Sequence, residues 1–157
     1  MVSNHASRLE VVLRLLRVAL VSGGPAMRNM SFMLTPDQIL AQTKTVTRRI
    51  GWRNLLVGTS IQPVRKGMGL KAGEKVERLG VPVRITNVRR ELLSRMSEDI
   101  EYGMEECKRE GFGEHPVYAW PSGFIEMFCS THRCGPDSLV TRIEFEYLPP
   151  SIGGDQR

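Results

Sequence analysis

The stretch Thr35-Pro-Asp-Gln-Ile-Leu-Ala-Gln-Thr-Lys-Thr-Val-Thr-Arg-Arg49 combines a helix start with a dense run of polar and β-branched residues. Its beginning predicts a helix, because Thr35 can cap the first turn, Pro36 suits the first helical position and Gln38 completes a capping box. The β-branched residues at positions 43, 45, 46 and 47 disfavour helix. The helix is therefore expected to end near Lys44 and to lead into a loop or an extended segment.

The end of this stretch brings together residues that could carry chemistry. The hydroxyl of Thr47 is a weak nucleophile and needs a base, and Lys44 could serve if burial or like charges lowered its pKa. Arg48 and Arg49 are close enough in sequence to act in that direction. Arg49 could instead hold a phosphate or a base edge through its fork of donors. In a simpler interpretation, the cations contact only RNA phosphates, and Thr45 and Thr47 are strand formers.

Outward from this segment, alternating apolar and polar residues predict strands near 61–64, 81–85 and 141–147. No regular helical crossovers separate these strands. The pattern therefore favours an α+β domain built on a mostly antiparallel β-barrel with short flanking helices over a doubly wound sheet.

Two further helices are expected in the second half of the chain. The first opens at Ser97, is interrupted at Gly103 and ends at Gly111, and the second opens at Ser122.

The chain of 157 residues is about one domain, with 41% hydrophobic and 25% charged residues. Its net charge of +5 is unevenly distributed: residues 44–90 hold twelve Lys and Arg against two Glu, whereas residues 91–157 hold six against thirteen Asp and Glu. The basic segment could form a cationic face for a phosphate backbone. Alternatively, the two halves pair within one fold through ordinary surface ion pairs.

Residues 1–29 are expected to be an N-terminal extension, with the compact domain over residues 30–149 and a flexible tail over 150–157. Spacing predicts an amphipathic helix within the extension, over residues 7–21, and its charges exclude a membrane span. A wrongly assigned start is an alternative, because three methionines lie at positions 27, 30 and 33. Three cysteines cannot form a closed set of disulfides, so a reduced, cytoplasmic chain is expected.

Lys44, Thr47 and Arg49 match the motif Gly-x-Lys-x-x-Thr-x-Arg, with Gln42 in place of the glycine. This run resembles the ASCH family, whose members are small β-barrels related to the PUA fold of RNA-modifying proteins. The resemblance extends over about residues 31–148. It is supported further along the chain by Glu110-Gly111-Phe112, by Phe124 and by the strand Arg142-Ile143-Glu144-Phe145.

The resemblance implies that the protein binds RNA or a modified nucleoside in a cationic cleft. Some small members of the family remove the acetyl group from acetylated cytidine, and their catalytic set would correspond to Lys44, Thr47 and Glu110. Another member is similar to a ribonuclease, and others only bind RNA. A non-catalytic accessory protein, docking a partner through the acidic C-terminal half, is a further alternative. The candidate ligand-binding residues are Thr45, Arg48, Arg49, Trp52, Arg65 and Lys66.

No cofactor or metal is expected. The spacing of Cys129, His132 and Cys134 resembles a metal site, but Cys129 falls on the apolar side of a predicted helix, where a buried thiol is the commoner case. The sequence leaves the oligomeric state open.

Overall fold

Five strands form one mixed sheet in a computed structural model of the protein, which describes residues 26–150. The strand order across the sheet is β1-β3-β4-β5-β2. The strands are β1 (Arg28–Ser31), β2 (Val46–Arg49), β3 (Ser60–Val64), β4 (Val83–Leu92) and β5 (Leu139–Tyr147). The predicted N-terminal helix lies outside the described residues, as does the tail beyond residue 150. Strand β1 begins two residues before the predicted domain boundary.

The long antiparallel pair β4–β5 forms the centre of the sheet, with Val83 opposite Tyr147 at one end and Leu92 opposite Leu139 at the other. The sequence predicts only the first part of β4. A register shift between Ile85 and Asn87 explains the difference, because a bulge interrupts the alternation of side chains that identifies a strand.

The α+β class is confirmed, but the predicted closed barrel is wrong. Strands β1 and β2 are the two edges of the sheet and do not pair with each other. One of the pairings, β1 with β3, is parallel, and the others are antiparallel. A side chain connects the two edges, because Arg49 Nη2 donates to the carbonyl oxygen of Ser31 at 2.6 Å.

Four short helices accompany the sheet in the described residues. They are α1 (Pro36–Leu40), α2 (Arg95–Glu98), α3 (Ile100–Cys107) and α4 (Pro121–His132), and a wide helical turn, Lys108–Phe112, follows α3. Helix α1 starts at Pro36 as predicted, although the Thr35 side chain makes no capping bond. None of the described helices has both the length and the hydropathy needed to cross a membrane.

The predicted break at Gly103 is wrong, because this glycine lies inside α3. The chain breaks at Asp99 instead, and the Asp99 carboxylate caps α3 by accepting from the Tyr102 amide at 3.1 Å. Gly103 is required for packing: a Cβ there would lie 1.8 Å from the Met96 carbonyl oxygen and 2.6 Å from Pro121 Cγ. The glycine thus allows α3 to contact both α2 and the start of α4.

Two apolar clusters form the core, and buried ionic residues lie between them. Along β5, Arg142 separates Val140 of one cluster from Ile143 of the other. The first cluster contains Met30, Phe32, Ile39, Leu55, Ile61, Leu79, Val83, Ile85, Ile143 and Phe145. The second contains Leu93, Met96, Cys107, Phe112, Phe124, Ile125, Phe128 and Val140.

Candidate functional site

Lys44 and Glu110 form a buried ion pair where α1 leads into β2. Lys44 Nζ donates to Glu110 Oε2 at 2.7 Å and to the Glu110 carbonyl oxygen at 2.6 Å, and each residue is 3% exposed. Burial lowers the pKa of Lys44; Glu110 opposes this shift, while Arg49 and Arg48 add to it. The site thus holds a lysine that releases its proton more readily than an exposed one.

Gly111 allows Glu110 to reach this lysine. Its φ of 96° is in the left-handed region that glycine adopts easily. A Cβ at this position would lie 3.0 Å from the Gln38 side chain and 3.5 Å from Lys44 Cβ. On the lysine side, the Tyr147 hydroxyl fixes the backbone by donating to the Lys44 carbonyl oxygen at 2.6 Å.

Arg48 is enclosed by carboxylates, and its side chain is 0% exposed. It donates to Glu91 at 2.8 Å and to Glu110 at 3.2 Å, and it also pairs with Glu106. Burial alone would lower the pKa of Arg48, but the three glutamates raise it. Arg48 therefore has no exposed donor for an RNA phosphate, and it orients Glu110 toward Lys44.

Glu106 is held between Arg48 and Arg142. Arg142 donates to both of its oxygens, at 2.6 and 2.9 Å. Burial alone would raise the pKa of Glu106, but the hydrogen bond from Arg142 and the charge of Arg48 lower it to about 2.

The contacts of Glu106 with Arg48 and Arg142 predict that the protein loses stability in acid. The stabilisation from Glu106 is complete above its ordinary pKa of 4.5 and is lost as the pH falls through about 2. The loss from this one group is about 3 kcal/mol, measured as the free energy of urea unfolding between pH 6 and pH 2. Glu106→Gln should show a flatter pH dependence. An equal slope in the two proteins would contradict the assignment.

A pocket of about 190 Å³ opens beside these ionic residues. Lys44, Thr47, Arg49 and Glu110 contribute its polar wall. The remaining lining is mostly apolar and aromatic and includes Phe32, Met33, Leu34, Phe112, Phe124, Met127, Phe128 and His132. The structure therefore brings the predicted Lys-Thr-Glu set to one concave surface.

Arg49 and His132 also line the pocket, and burial lowers the pKa of each. Arg49 Nε donates to Thr47 Oγ1 at 3.2 Å, and the guanidinium lies 4.9 Å from the centre of the Phe32 ring. Burial lowers the pKa of Arg49 to about 10. Burial and the charge of Arg49 also lower the pKa of His132, which favours the neutral imidazole.

The other predicted ligand-binding residues lie outside the pocket lining. Arg65 and Lys66 follow β3 and pair with Glu77 and Glu74 at the surface. The Thr45 backbone joins two elements, donating to the Arg109 carbonyl and accepting from the Phe145 amide. Trp52 packs partly against the first apolar cluster, and Arg28 stacks over its ring at 4.1 Å.

Sequence reasoning missed Glu91, Glu106, Arg142 and the aromatic wall. Arg142 alternates with apolar residues along β5, which predicts an exposed side chain, yet it is 2% exposed. Glutamates on a strand and on a helix give no sequence signal of burial, because most are solvated. Apolar residues at helical spacing in α4 did predict one apolar face, but not the pocket that this face lines.

The cysteines do not form a metal site with His132. In the described part of the chain, no group of three or more His, Cys, Asp or Glu residues could hold a metal ion. His132 instead packs against Phe128, with ring centres 4.3 Å apart and ring planes inclined at 44°. Cys107 is buried, and burial raises the pKa of its thiol to about 12.

Gln42, which stands where the ASCH motif has glycine, has a φ of 58°. A non-glycine residue in this left-handed region is strained by roughly 1–2 kcal/mol. We therefore expect Gln42→Gly to raise the free energy of unfolding by about 0.5–1 kcal/mol, since glycine loses part of the gain as chain entropy. Thermal melts of the two proteins would test this, and a destabilised variant would contradict it.

A solved structure shares this fold. Protein EF3133 from Enterococcus faecalis V583, of the family model DUF984, superposes with a TM-score of 0.52 at 13% identity, covering 91% of this chain and 89% of that one. No family model matches the present sequence, and no curated protein matches it. The likeness concerns the fold alone.

Proposed function

We propose that the pocket binds a single modified nucleoside. The observation that carries this proposal is the joining of Lys44, Thr47 and Glu110 with an aromatic wall in one pocket. Aromatic rings offer stacking faces to a base, and the polar wall offers donors and an acceptor to its edge. The volume lies below the roughly 300–1,000 Å³ of pockets for larger ligands, which favours a compact group such as a base.

Binding along an extended RNA backbone has less support. Lys44 and Arg48 are each 3% exposed and already face carboxylates. A phosphate backbone is neutralised by cations that it can reach at the surface. A small pocket therefore fits the positions of Lys44 and Arg48 better than an extended cationic cleft does.

Calorimetric titration with acetylcytidine, cytidine and a short unmodified RNA would test the proposal. We expect acetylcytidine to bind, with affinity that changes little with salt, and Phe128→Ala to weaken the binding. Arg84→Gln serves as a control, because Arg84 pairs with Glu146 at the surface and does not line the pocket. Binding of the RNA alone, with a steep salt dependence, would contradict a nucleoside site.

A second candidate function is hydrolysis of the acyl amide of such a nucleoside. The lowered pKa of Lys44 favours it, because a neutral lysine can accept the Thr47 hydroxyl proton. The Lys44 proton would first move to Glu110, to which it is hydrogen-bonded, and the neutral amine would then take the proton of Thr47. Thr47 Oγ1 would bond to the acyl carbon, the carbon–nitrogen bond would break, and Glu110 would pass the proton it received to the leaving amine. Water would then cleave the threonine ester and release the acid.

The hydrogen bonds must rearrange for this reaction. Lys44 donates to Glu110, and the Thr47 hydroxyl accepts from Arg49. Ligand binding would have to turn Lys44 toward Thr47. This requirement is why binding is the primary proposal and hydrolysis the second.

Two substitutions at Thr47 distinguish hydrolysis from binding. Thr47→Val removes the nucleophile with little change of shape, and Thr47→Ser keeps a hydroxyl. With acetylcytidine as substrate and mass spectrometry of the products, we expect Thr47→Val to lose at least about 100-fold in turnover and Thr47→Ser to retain activity. Undiminished turnover in Thr47→Val would exclude the threonine mechanism.

A further inference from the structure

We infer that the ligand of this pocket is a nucleotide bearing a phosphomonoester, and that Arg49 binds its phosphate; this inference rests on the proposed nucleoside site. The starting point is the pairing of the buried cations. Lys44 faces Glu110, and Arg48 faces three glutamates. Arg49 forms no ion pair with any carboxylate of the described residues, and its hydrogen-bond acceptors are neutral oxygens.

Arg49 is also held in one orientation. Its Nε donates to Thr47 Oγ1, its Nη2 donates to the Ser31 carbonyl, and its plane lies near the Phe32 ring. Within the described part of the chain, Nη1 has no hydrogen-bond acceptor. The guanidinium lines the pocket with free donors and little freedom to move.

The charges around the pocket favour an anionic ligand. Lys44 pairs with Glu110, and Arg48 is enclosed by three glutamates, so neither contributes uncompensated charge to the lining. Arg49 feels the charge of Glu110, but among the described residues its guanidinium has no carboxylate bound directly to it. Burying a cation without a directly bound anion is unfavourable, and a phosphomonoester would supply that charge through oxygens that can accept from the remaining donors of the guanidinium.

A neutral carbonyl oxygen of the ligand is the competing partner for Arg49. It could accept one hydrogen bond, but it would leave the positive charge uncompensated. Only a phosphate bound to Arg49 predicts that a nucleotide binds much more tightly than its parent nucleoside.

The test compares acetylcytidine with acetylcytidine 5′-monophosphate by calorimetric titration. We expect the nucleotide to bind about 10- to 100-fold more tightly, with an affinity that falls as salt is added. Arg49→Gln should remove most of this difference, and Arg49→Lys should keep part of it. Arg84→Gln should change neither affinity, and a thermal melt of each variant checks that it is folded.

Three results would overturn the inference. Equal affinity for the two compounds in the unaltered protein would exclude a phosphate subsite while leaving the nucleoside site in place. A difference that persists in folded Arg49→Gln would assign the phosphate to another residue. Binding of neither compound would remove the nucleoside site and the inference together.

Discussion

Arg48→Met is expected to lower the free energy of unfolding by about 3–5 kcal/mol, because it breaks a buried ionic network. Arg48 contacts Glu91, Glu106 and Glu110, and its side chain is 0% exposed. Its removal leaves buried carboxylates without their shared partner. These carboxylates stay buried and are not rehydrated, so the folded state is destabilised. Urea unfolding monitored by circular dichroism measures the change.

The matched control is Arg84→Met. Arg84 pairs with Glu146 at 2.7 Å, but both side chains are about half exposed. Solvent screens such a pair, and we expect a loss of less than about 1 kcal/mol. Similar losses in the two variants would show that burial of Arg48 has no special importance for stability.

Gly103→Ala should destabilise the protein by about 3 kcal/mol, although alanine is the better helix former by about 1 kcal/mol. The added Cβ would lie 1.8 Å from the Met96 carbonyl oxygen, which is backbone and cannot rotate away. Helix α3 would have to separate from α2 and from Pro121. The measurement is the midpoint of thermal or urea unfolding.

Gly51→Ala tests whether the effect comes from crowding. A Cβ at Gly51 would meet no atom within 4 Å, and the backbone there does not require glycine. We expect the stability of this variant to change by less than about 0.5 kcal/mol. A neutral Gly103→Ala variant would show that α3 packs less closely than the structure indicates.

The local half of the site could be predicted from sequence, because Lys44, Thr47 and Arg49 lie within one short motif. Glu110 is 66 residues from Lys44, and only the family resemblance connected the two. The effect of Arg48 on the pKa of Lys44 could be predicted, but the enclosure of Arg48 could not. That enclosure depends on Glu91 and Glu106, which belong to a distant strand and helix whose sequences indicate ordinary solvated charges.

The sequence predicted several of the helices and strands, but it predicted wrongly that the sheet closes into a barrel. The start of α1 at Pro36 and the alternation along β5 are local properties of the chain, and both were found. Whether β1 and β2 pair to close a barrel depends on how the edges meet in space. The bulge after Ile85 likewise hid the second half of β4, because it reverses which side chains face the core.

The shared contacts of Arg48 also constrain how this sequence can change over evolutionary time. Glu91, Glu106 and Glu110 all depend on one guanidinium, and Glu106 depends on Arg142 as well. Substitutions at residues in contact are not additive, and a single replacement leaves a partner uncompensated. Accepted changes at these positions should therefore occur together, so that sequences of related proteins hold either the whole charged set or an apolar replacement of it.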